Sequence, residues 1–473
     1  MTDMRIVTTS GATTLIDDTA IEAFRSSLRG KLATPGEPSY DEARTIWNAM
    51  IDRRPALIVR CAGPGDVLRA AHFAREHSLL LAVRGGGHNI AGNAVCDGGL
   101  MIDLSQMKSV RVNPKTRRAY VEPGATLADF DHETQAFGLA TPLGINSTTG
   151  VAGLTLGGGF GWLSRKYGMT VDNLVSVDVV TAEGTLTRAD AKENPELFWG
   201  IRGGGGNFGI VTCFEFQLHP VGPEILAGLI VYPFDEAETI LKKHREFVET
   251  MPDEMNVWVV LRKAPPLPFL PAEVHGKEVV VLAVFYAGDV AKGQRLIEPL
   301  RSFGKAHGVQ VGPMPYAAWQ RAFDPLLTPG ARNYWKSHNY ARLTDGAIET
   351  VIRYAAQLPT PASEIFVGLI GGQAARVPAD ETAYSQRDAT FVLNVHTRWD
   401  SPTDDGRCIA WAREFFKAAA PDATGGVYVN FMTQEETDRI PAAYKPEVWE
   451  RLVSVKRKWD PKNLFRMNQN IRP

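Results

Sequence analysis

The sequence predicts an α+β protein built as two lobes, and three observations carry that prediction. At 473 residues the chain is longer than one simple hydrophobic core organises. Glycine concentrates in three clusters, at 85–87, 157–159 and 203–206, all in the first half. After Pro220 the pattern changes to apolar β runs alternating with amphipathic helices, as in an antiparallel sheet covered by helices.

The chain reads in order as follows. Residues 1–54 form an N-terminal segment, helical and polar over 21–54. ALIVRCAGPGDVLRAAHFAREHSLLLAVRGGGH (56–88) reads strand, turn, helix, strand. Asp66 stands where it caps that helix, and Val67, Ala70, Ala71 and Ala74 give it one apolar face. Short strands follow near 100–104 and 119–121. A helix starts at Thr126, whose pairing with Asp129 makes a capping box with Asp in place of Glu; Leu127, Phe130 and Phe137 share one side. LVSVDVVTAEGTL (174–186) reads as a hairpin turning at Glu183 and Gly184. In the second lobe ILAGLIVY, MNVWVVL, VVVLAVFY, IFVGLIGG and TFVLNVH are the β runs. YWKSHNYARL (334–343) suits either a pocket wall or a packed helix start. The tail carries GGVYVNFM, a helix over 446–459 and DPKNLFRMNQNIRP. The resulting units are 1–54, 55–220, 221–424 and 425–473, the last packing back on the first lobe.

Composition narrows the function. Hydrophobic residues at 44% and charged residues at 22% are ordinary for a globular enzyme. A formal net charge of −2, with no basic tract, predicts no nucleic-acid partner. Cys61, Cys96, Cys213 and Cys408 lie far apart and form no CxxC pair, which argues against a metal site or a disulfide framework. The first residues do not read as a secretory signal, and no apolar run is long enough to cross a bilayer, so the expectation is a cytoplasmic protein without a membrane partner. Oligomeric state is not legible. HExxH, GxSxG and P-loop motifs are missing. The one GxGxxG match, Gly204, Gly206 and Gly209, follows a helix and opens a strand, the reverse of a Rossmann context. Asn146-Ser-Thr fits a glycosylation sequon but lacks the secretion signal that would give it meaning.

Two runs carry chemistry. In RGGGHN, Arg84, Gly85, Gly86, Gly87, His88 and Asn89, three glycines after a buried strand let consecutive N–H groups face one way and cradle an anion such as a pyrophosphate. The imidazole of His88 leaves the same loop; a tight turn with an exposed histidine is the plainer alternative. The run GINSTTGVAGLTLGGGFGWLSRKYGMTVDN (144–173) holds no charge before Arg165 and lines a flat ligand better than it builds a core. Its apolar residues Val151, Leu154, Leu156, Phe160, Trp162 and Leu163 argue against a free surface loop.

RGGGHN, the GINSTTGVAGLTLGGGFGW run and the NLFRMNQNI ending together resemble the berberine-bridge-enzyme-like oxidases, of the vanillyl-alcohol-oxidase or PCMH type of FAD-binding fold. The resemblance runs from about Pro55 to Pro473. It implies a two-lobed PCMH-type fold with an α+β substrate domain and FAD as cofactor. His88 falls where the family bonds the flavin 8α-methyl carbon. Arg84, Gly85, Gly86, Gly87, His88 and Asn89 would hold the pyrophosphate. Gly150, Gly153, Leu154, Gly157, Gly158 and Gly161 would run along the cofactor, Ile210 and Val211 near its adenine end, and Asn468 at the isoalloxazine edge. Many relatives add a cysteinyl bond to flavin carbon 6. Asn146 occupies that position here and cannot act as a sulfur nucleophile, which implies a singly linked, bacterial-type member with a lower flavin potential and a more open site. Thr149 stands where relatives often carry an aliphatic side chain said to gate oxygen, which puts oxygen reactivity in question.

On the substrate side, flavin chemistry wants a base near the reacting carbon. Asn394 and His396 share one face of the 390–399 run, and Tyr428 and Asn430 share one face of the 427–432 run if both are strands. Tyr428 matches the family's Y-x-N tyrosine. Val392 stands where some relatives place a Lys or Glu, so His396 or Tyr428 must take the proton, although His396 also reads as a purely structural histidine. Three functions follow: an oxidase of a small-molecule alcohol or amine using O2 and giving H2O2, a dehydrogenase passing electrons to a quinone-type acceptor, and a flavin-carrying sequestering protein without turnover. The substrate itself, a sugar, an alkaloid-like amine or a secondary-metabolite alcohol, is not legible.

Overall fold

A computed structural model describes residues 3–473. The chain opens with a hairpin of β1 (Met4–Val7) and β2 (Thr13–Ile16), then a helix over Asp18–Ser27. β3 (Lys31–Ala33) pairs antiparallel with β4 (Leu57–Arg60); β5 (Leu81–Arg84) and β6 (Leu100–Asp103) complete a four-stranded sheet, ordered β3-β4-β6-β5, in which β4, β6 and β5 are parallel. The helical reading of 21–54 therefore holds only in part. Helix covers the end of Asp18–Ser27 and the short Tyr40–Arg44, while β3 adds a strand to the first lobe's sheet. Three-residue strands fall below what periodicity detects.

The helix between β4 and β5 spans Pro64–Glu76, with Gly63 at its cap and Asp66 inside its first turn. Asp66 does not cap in the usual sense. Its buried carboxylate accepts the Ala62, Arg29 and Gly30 amides at 2.8, 2.9 and 2.9 Å, tying the N-terminal segment to the lobe. Val67, Ala70, Ala71 and Ala74 are buried as the pattern requires.

A second, fully antiparallel sheet contains β7 (Val110–Asn113), β8 (Arg118–Val121), β10 (Leu174–Val180), β11 (Leu186–Asp190) and β12 (Ile210–Gln217), ordered β11-β10-β12-β8-β7; the two-residue β9 (Leu139–Ala140) pairs with β13 (His219–Pro220). The expected hairpin is β10–β11. The Thr126–Asp129 capping box forms at the start of Leu127–Gln135, but Phe137 lies beyond that helix and is 50% exposed.

The second lobe is one seven-stranded antiparallel sheet of β14 (Glu224–Pro233), β15 (Met255–Lys263), β16 (Glu278–Tyr286), β17 (Gly308–Pro315), β18 (Arg332–Tyr340), β19 (Glu364–Leu369) and β20 (Phe391–Trp399), ordered β17-β14-β16-β15-β19-β20-β18. The 334–343 run is thus strand β18 and not a helix start. Val257, Val259, Leu261, Ile365, Val367, Leu393 and Val395 pack in one core with Ile240, Leu241, Ile297, Leu300, Ile348, Val351 and Phe415 from the four covering helices. Period-two alternation turns Trp258, Arg262, Glu364, Phe366, Asn394 and His396 to the other face, toward the first lobe.

The tail packs against the first lobe. Its helix spans Pro446–Trp459, and Val448, Leu452 and Val455 join the core of the five-stranded sheet. In the helix's last turn, fully buried Lys456 donates to Asp460 at 2.7 Å, to the Asn207 carbonyl at 2.8 Å and to the Phe465 carbonyl at 3.0 Å. Asp460 in turn accepts the Leu464 and Phe465 amides. Residues 427–432 are not a strand: Val429–Phe431 is a single 3₁₀ turn. No helix among the described residues is long and apolar enough to cross a membrane.

Candidate active site

A cavity of about 320 Å³ lies between the lobes. The first glycine loop, at the end of β5, enters it with Gly85, Gly86, Gly87, His88 and Asn89. The second contributes Asn146, Thr149, Gly150, Gly153 and Leu154, and the start of β12 contributes Ile210 and Val211. The substrate lobe supplies Asn394 and His396, and the tail supplies Tyr428, Asn430 and Asn468. Sites scattered over the whole sequence therefore meet in one place.

Four expected residues are elsewhere. Arg84 donates to the Ala43 carbonyl at 2.7 Å and does not line the cavity. A Cβ on Gly157 would fall 2.2 Å from Asn430 Oδ1, on Gly158 2.8 Å from Tyr384, and on Gly161 2.0 Å from the Leu143 carbonyl oxygen. Those glycines answer to close packing within the protein. Conversely, the third cluster, whose helix-to-strand context is the reverse of a Rossmann turn, lines the cavity with Gly204, Gly205, Gly206 and the following Gly209. Trp47 and Glu364 line it too and carried no local sequence signal, whereas Trp335 lines it from the 334–343 run that suited a pocket wall.

The cradle suits a dinucleotide. Gly153 and Gly206 open on it with nothing within 4 Å of an added Cβ, so side chains leave the space clear. No Lys or Arg among the described residues lines it, and Glu364 is its one carboxylate, so a pyrophosphate there would be held by neutral donors, the backbone N–H groups of the glycine loops and side chains such as Asn89 and Thr149. Asn394 Oδ1, Asn468 Oδ1 and Trp335 Nε1 belong to lining residues and have no partner within the protein. Leaving such groups unpaired costs about 1–3 kcal/mol each, which a polar ligand offsets. These features fit FAD.

His88 stands beside the cradle. Its ring stacks on Trp47 with centroids 4.8 Å apart, and Nε2 lies 2.9 Å from Thr148 Oγ1. Thr148 sends its own hydroxyl proton to Asn146 Oδ1 at 2.8 Å, and the Thr148 amide fixes that oxygen at 3.1 Å. The threonine oxygen therefore accepts from His88 Nε2–H, leaving Nδ1 as the unprotonated nitrogen. Burial pushes the imidazole pKa down to about 3, so the ring is neutral at physiological pH. None of the four cysteines lines the cavity.

On the opposite wall, β19 and β20 place Glu364 directly across from His396. Asn333 is oriented by donating to the Ala331 carbonyl at 2.8 Å and accepting from Arg398 at 3.2 Å. Its Oδ1 then accepts from His396 Nε2 at 3.1 Å. His396 Nδ1 faces Glu364 Oε1 at 3.6 Å, and Arg262 holds the other carboxylate oxygen at 2.7 Å. Burial lowers the His396 pKa against the pull of Glu364. Burial works to raise the Glu364 carboxyl, but Arg262 and His396 prevail and keep it below its usual value. Tyr428 differs. Its oxygen accepts the Gly159 amide and the Asn430 Nδ2, each at 3.0 Å, yet burial pushes the phenol up to about 12. The 3₁₀ turn, not strand alternation, brings Tyr428 and Asn430 together. No cluster of three or more His, Cys, Asp or Glu suited to a metal occurs among the described residues.

A PCMH-type fold with a backbone-lined cradle and a polar wall opposite defines a flavin-dependent oxidoreductase. The family comparisons agree. Residues 55–190 match the FAD binding domain family, and residues 427–472 match the berberine and berberine-like family. FAD-linked oxidoreductase YgaK of Bacillus subtilis is 31% identical over 459 residues, covering 95% of this chain and 98% of the relative. The (R)-6-hydroxynicotine oxidase of Paenarthrobacter nicotinovorans is 30% identical over 461 residues, covering 94% and 97%. Among solved structures, 6-hydroxy-D-nicotine oxidase of Arthrobacter nicotinovorans superposes with a TM-score of 0.85 at 28% identity, covering 94% and 98%. Xylooligosaccharide oxidase of Myceliophthora thermophila, solved with xylobiose, gives a TM-score of 0.83 at 26% identity, covering 96% and 99%. The chain belongs to the berberine-bridge-enzyme-like FAD-linked oxidoreductases.

Proposed function

We propose that this protein is an oxidase of small-molecule alcohols or amines, with FAD bonded covalently through His88 alone and dioxygen as electron acceptor, reduced to hydrogen peroxide. FAD, when bound, supplies the acceptor for hydride leaving the substrate carbon. The observation that carries the reading is His88: a neutral imidazole beside the cradle, its Nε2–H committed to Thr148 and its Nδ1 lone pair free. The distance of every cysteine from the cavity supports a single link.

The wall opposite the glycine loops handles the substrate proton. His396 is neutral, its pKa lowered by burial, and a proton taken up by its ring creates an imidazolium facing the Glu364 carboxylate. Arg262 keeps that carboxylate ionised and in place. Tyr428, with its phenol at about 12, retains its proton at neutral pH and serves as a hydrogen-bonding group, not as the base. Asn394, whose Oδ1 is unpartnered, offers an acceptor to a substrate hydroxyl or ammonium. His396 thus takes precedence over Tyr428 for the proton.

The test is a panel of alcohols and amines added to the flavin-loaded protein without air. Bleaching of the flavin absorbance, followed by peroxide on admission of air, is expected; protein that stays colourless when offered flavin during expression ends the reading. Thr149 favours a second outcome, because it places a polar side chain at the cavity where an aliphatic one is expected to gate oxygen. Bleaching followed by reoxidation with a quinone dye but not with air identifies a dehydrogenase. The same site then needs a different acceptor.

A further inference from the structure

A second chamber of about 170 Å³ adjoins the cofactor cavity. Ile145, Trp258, Leu327, Glu364 and Phe366 border both spaces. The chamber's floor is the helix-free face of the large sheet, with Leu229 and Val231 from β14, Val260 from β15, and Val279, Val281 and Ala283 from β16. Its roof is Trp319, Phe323 and Leu326, closed at one end by Leu267 and Leu270. Apart from Arg262 and Glu364, every lining side chain is hydrophobic or proline.

The two charged groups are bonded to each other at 2.7 Å. Their mutual pairing leaves the rest of the chamber without a polar side chain able to serve several hydroxyl groups. Trp162 and Trp319, with ring centroids 5.2 Å apart, give the chamber flat rings, and their indole N–H groups are buried away from open space, so the chamber holds no array of hydrogen-bonding groups. A saccharide placed here would bury hydroxyls with nothing to pair them, which is costly. An aromatic or alicyclic body would instead gain by leaving water and by stacking on the indoles.

We infer that the substrate carries such an apolar ring body, which fills the second chamber, and presents its carbinol or amine carbon at the chamber mouth beside Glu364 and His396. This assignment rests on the oxidase reading above and narrows its substrate class to hydrophobic ring-bearing alcohols or amines, against unsubstituted oligosaccharides. Each part of the arrangement answers to one feature of such a molecule. The aromatic roof and aliphatic floor take the ring, and the His396–Glu364 wall meets the polar head.

Equilibrium dialysis of the flavin-loaded protein without air, against 1-(2-naphthyl)ethanol, 1-(2-naphthyl)ethylamine and cellobiose, reads binding apart from turnover. At least one naphthyl compound is expected to bind tenfold or more tightly than cellobiose. Val260→Phe, which fills the floor, is expected to weaken that binding at least tenfold. Leu267→Trp narrows the chamber from a partly exposed loop and serves if Val260→Phe does not fold. Cellobiose binding equal to or tighter than both naphthyl compounds overturns the assignment, as does naphthyl binding unchanged in the filled variants. Flavin absorbance in the same samples separates the two readings: naphthyl binding that depends on Val260 supports the chamber even where the flavin does not bleach, and that lack of bleaching counts against the oxidase reading alone.

Discussion

Gly86 and Gly150 meet backbone to backbone: a Cβ on Gly86 would fall 2.5 Å from the Gly150 nitrogen, and one on Gly150 would fall 2.5 Å from the Gly86 nitrogen. The obstacle on each side is main chain, so no rotamer change relieves it. This contact joins the two loops that form the cradle. Gly86→Ala is expected to part them, costing about 1–3 kcal/mol as overpacking does, and to lower the flavin retained through purification. Gly153→Ala separates the two effects. Its methyl enters open cavity from a helical position, so thermal unfolding of the flavin-free protein should hold while flavin content falls. Absorbance at the flavin band against protein absorbance, with unfolding curves, reads both.

The glycine loops were legible because their signal is local: RGGGHN and GINSTTG place their chemistry within a few residues. What a glycine is for was not. Gly157 and Gly161 make room for Asn430 and the Leu143 carbonyl, neighbours that only the folded chain supplies. The third cluster follows a helix and opens a strand, unlike a strand-to-helix nucleotide turn, and still lines the cavity, because a bare backbone is useful in any fold. Glu364 was invisible for another reason. Its value comes from register, since β19 sets it across from His396 and β15 brings Arg262 to its far side. The seven-stranded sheet was readable where strands are apolar, as in β16. It was not at β18, RNYWKSHNY, whose polar residues serve buried contacts: Asn333 orients His396, and Lys336 pairs with Glu435 and Glu436.

His88→Ala is expected to leave the flavin extractable by acid or denaturant, whereas the unsubstituted protein keeps it through precipitation. Thr148→Val removes the acceptor of the Nε2 proton without touching the bonding nitrogen. It should slow formation of the linkage and leave the final linked fraction high after prolonged incubation with FAD. Complete release of flavin from denatured unsubstituted protein removes the covalent assignment.

Asp460→Asn tests the knot that seats the tail. Lys456 and Asp460 are both fully buried, and the aspartate also anchors the Leu464 and Phe465 amides. Taking away the carboxylate charge strands a buried ammonium, at a cost of about 3–5 kcal/mol. The expected result is a lower unfolding midpoint. Asn468 and Gln469 follow directly in the chain and line the cavity, so flavin retention should fall with it. An unchanged midpoint, by denaturant titration, shows that the tail is seated by its apolar contacts alone.

The acid limb of turnover discriminates between the two candidates for the proton. His396 has a pKa lowered from 6.5 by burial, and Glu364 opposes that lowering. A base must be unprotonated to act, so flavin reduction should climb from acid pH and level off at or below about 6.5, the ordinary histidine value. Were Tyr428 the base, the rate would instead rise toward its phenol value of about 12 and show no plateau near neutrality. His396→Gln should slow reduction by about 100-fold or more, within the 10²–10⁴ range for general-base removal. Glu364→Gln takes away the charge that favours the imidazolium, so it should shift the acid limb to lower pH and lower the plateau. Tyr428→Phe should leave the limb where it is. It strands the Gly159 amide, so its cost of about 1–3 kcal/mol falls on stability and on substrate positioning. Stopped-flow reduction without air, from pH 4.5 to 9.5, separates these outcomes, and a limb that moves with Tyr428→Phe but not with Glu364→Gln returns the proton to the tyrosine.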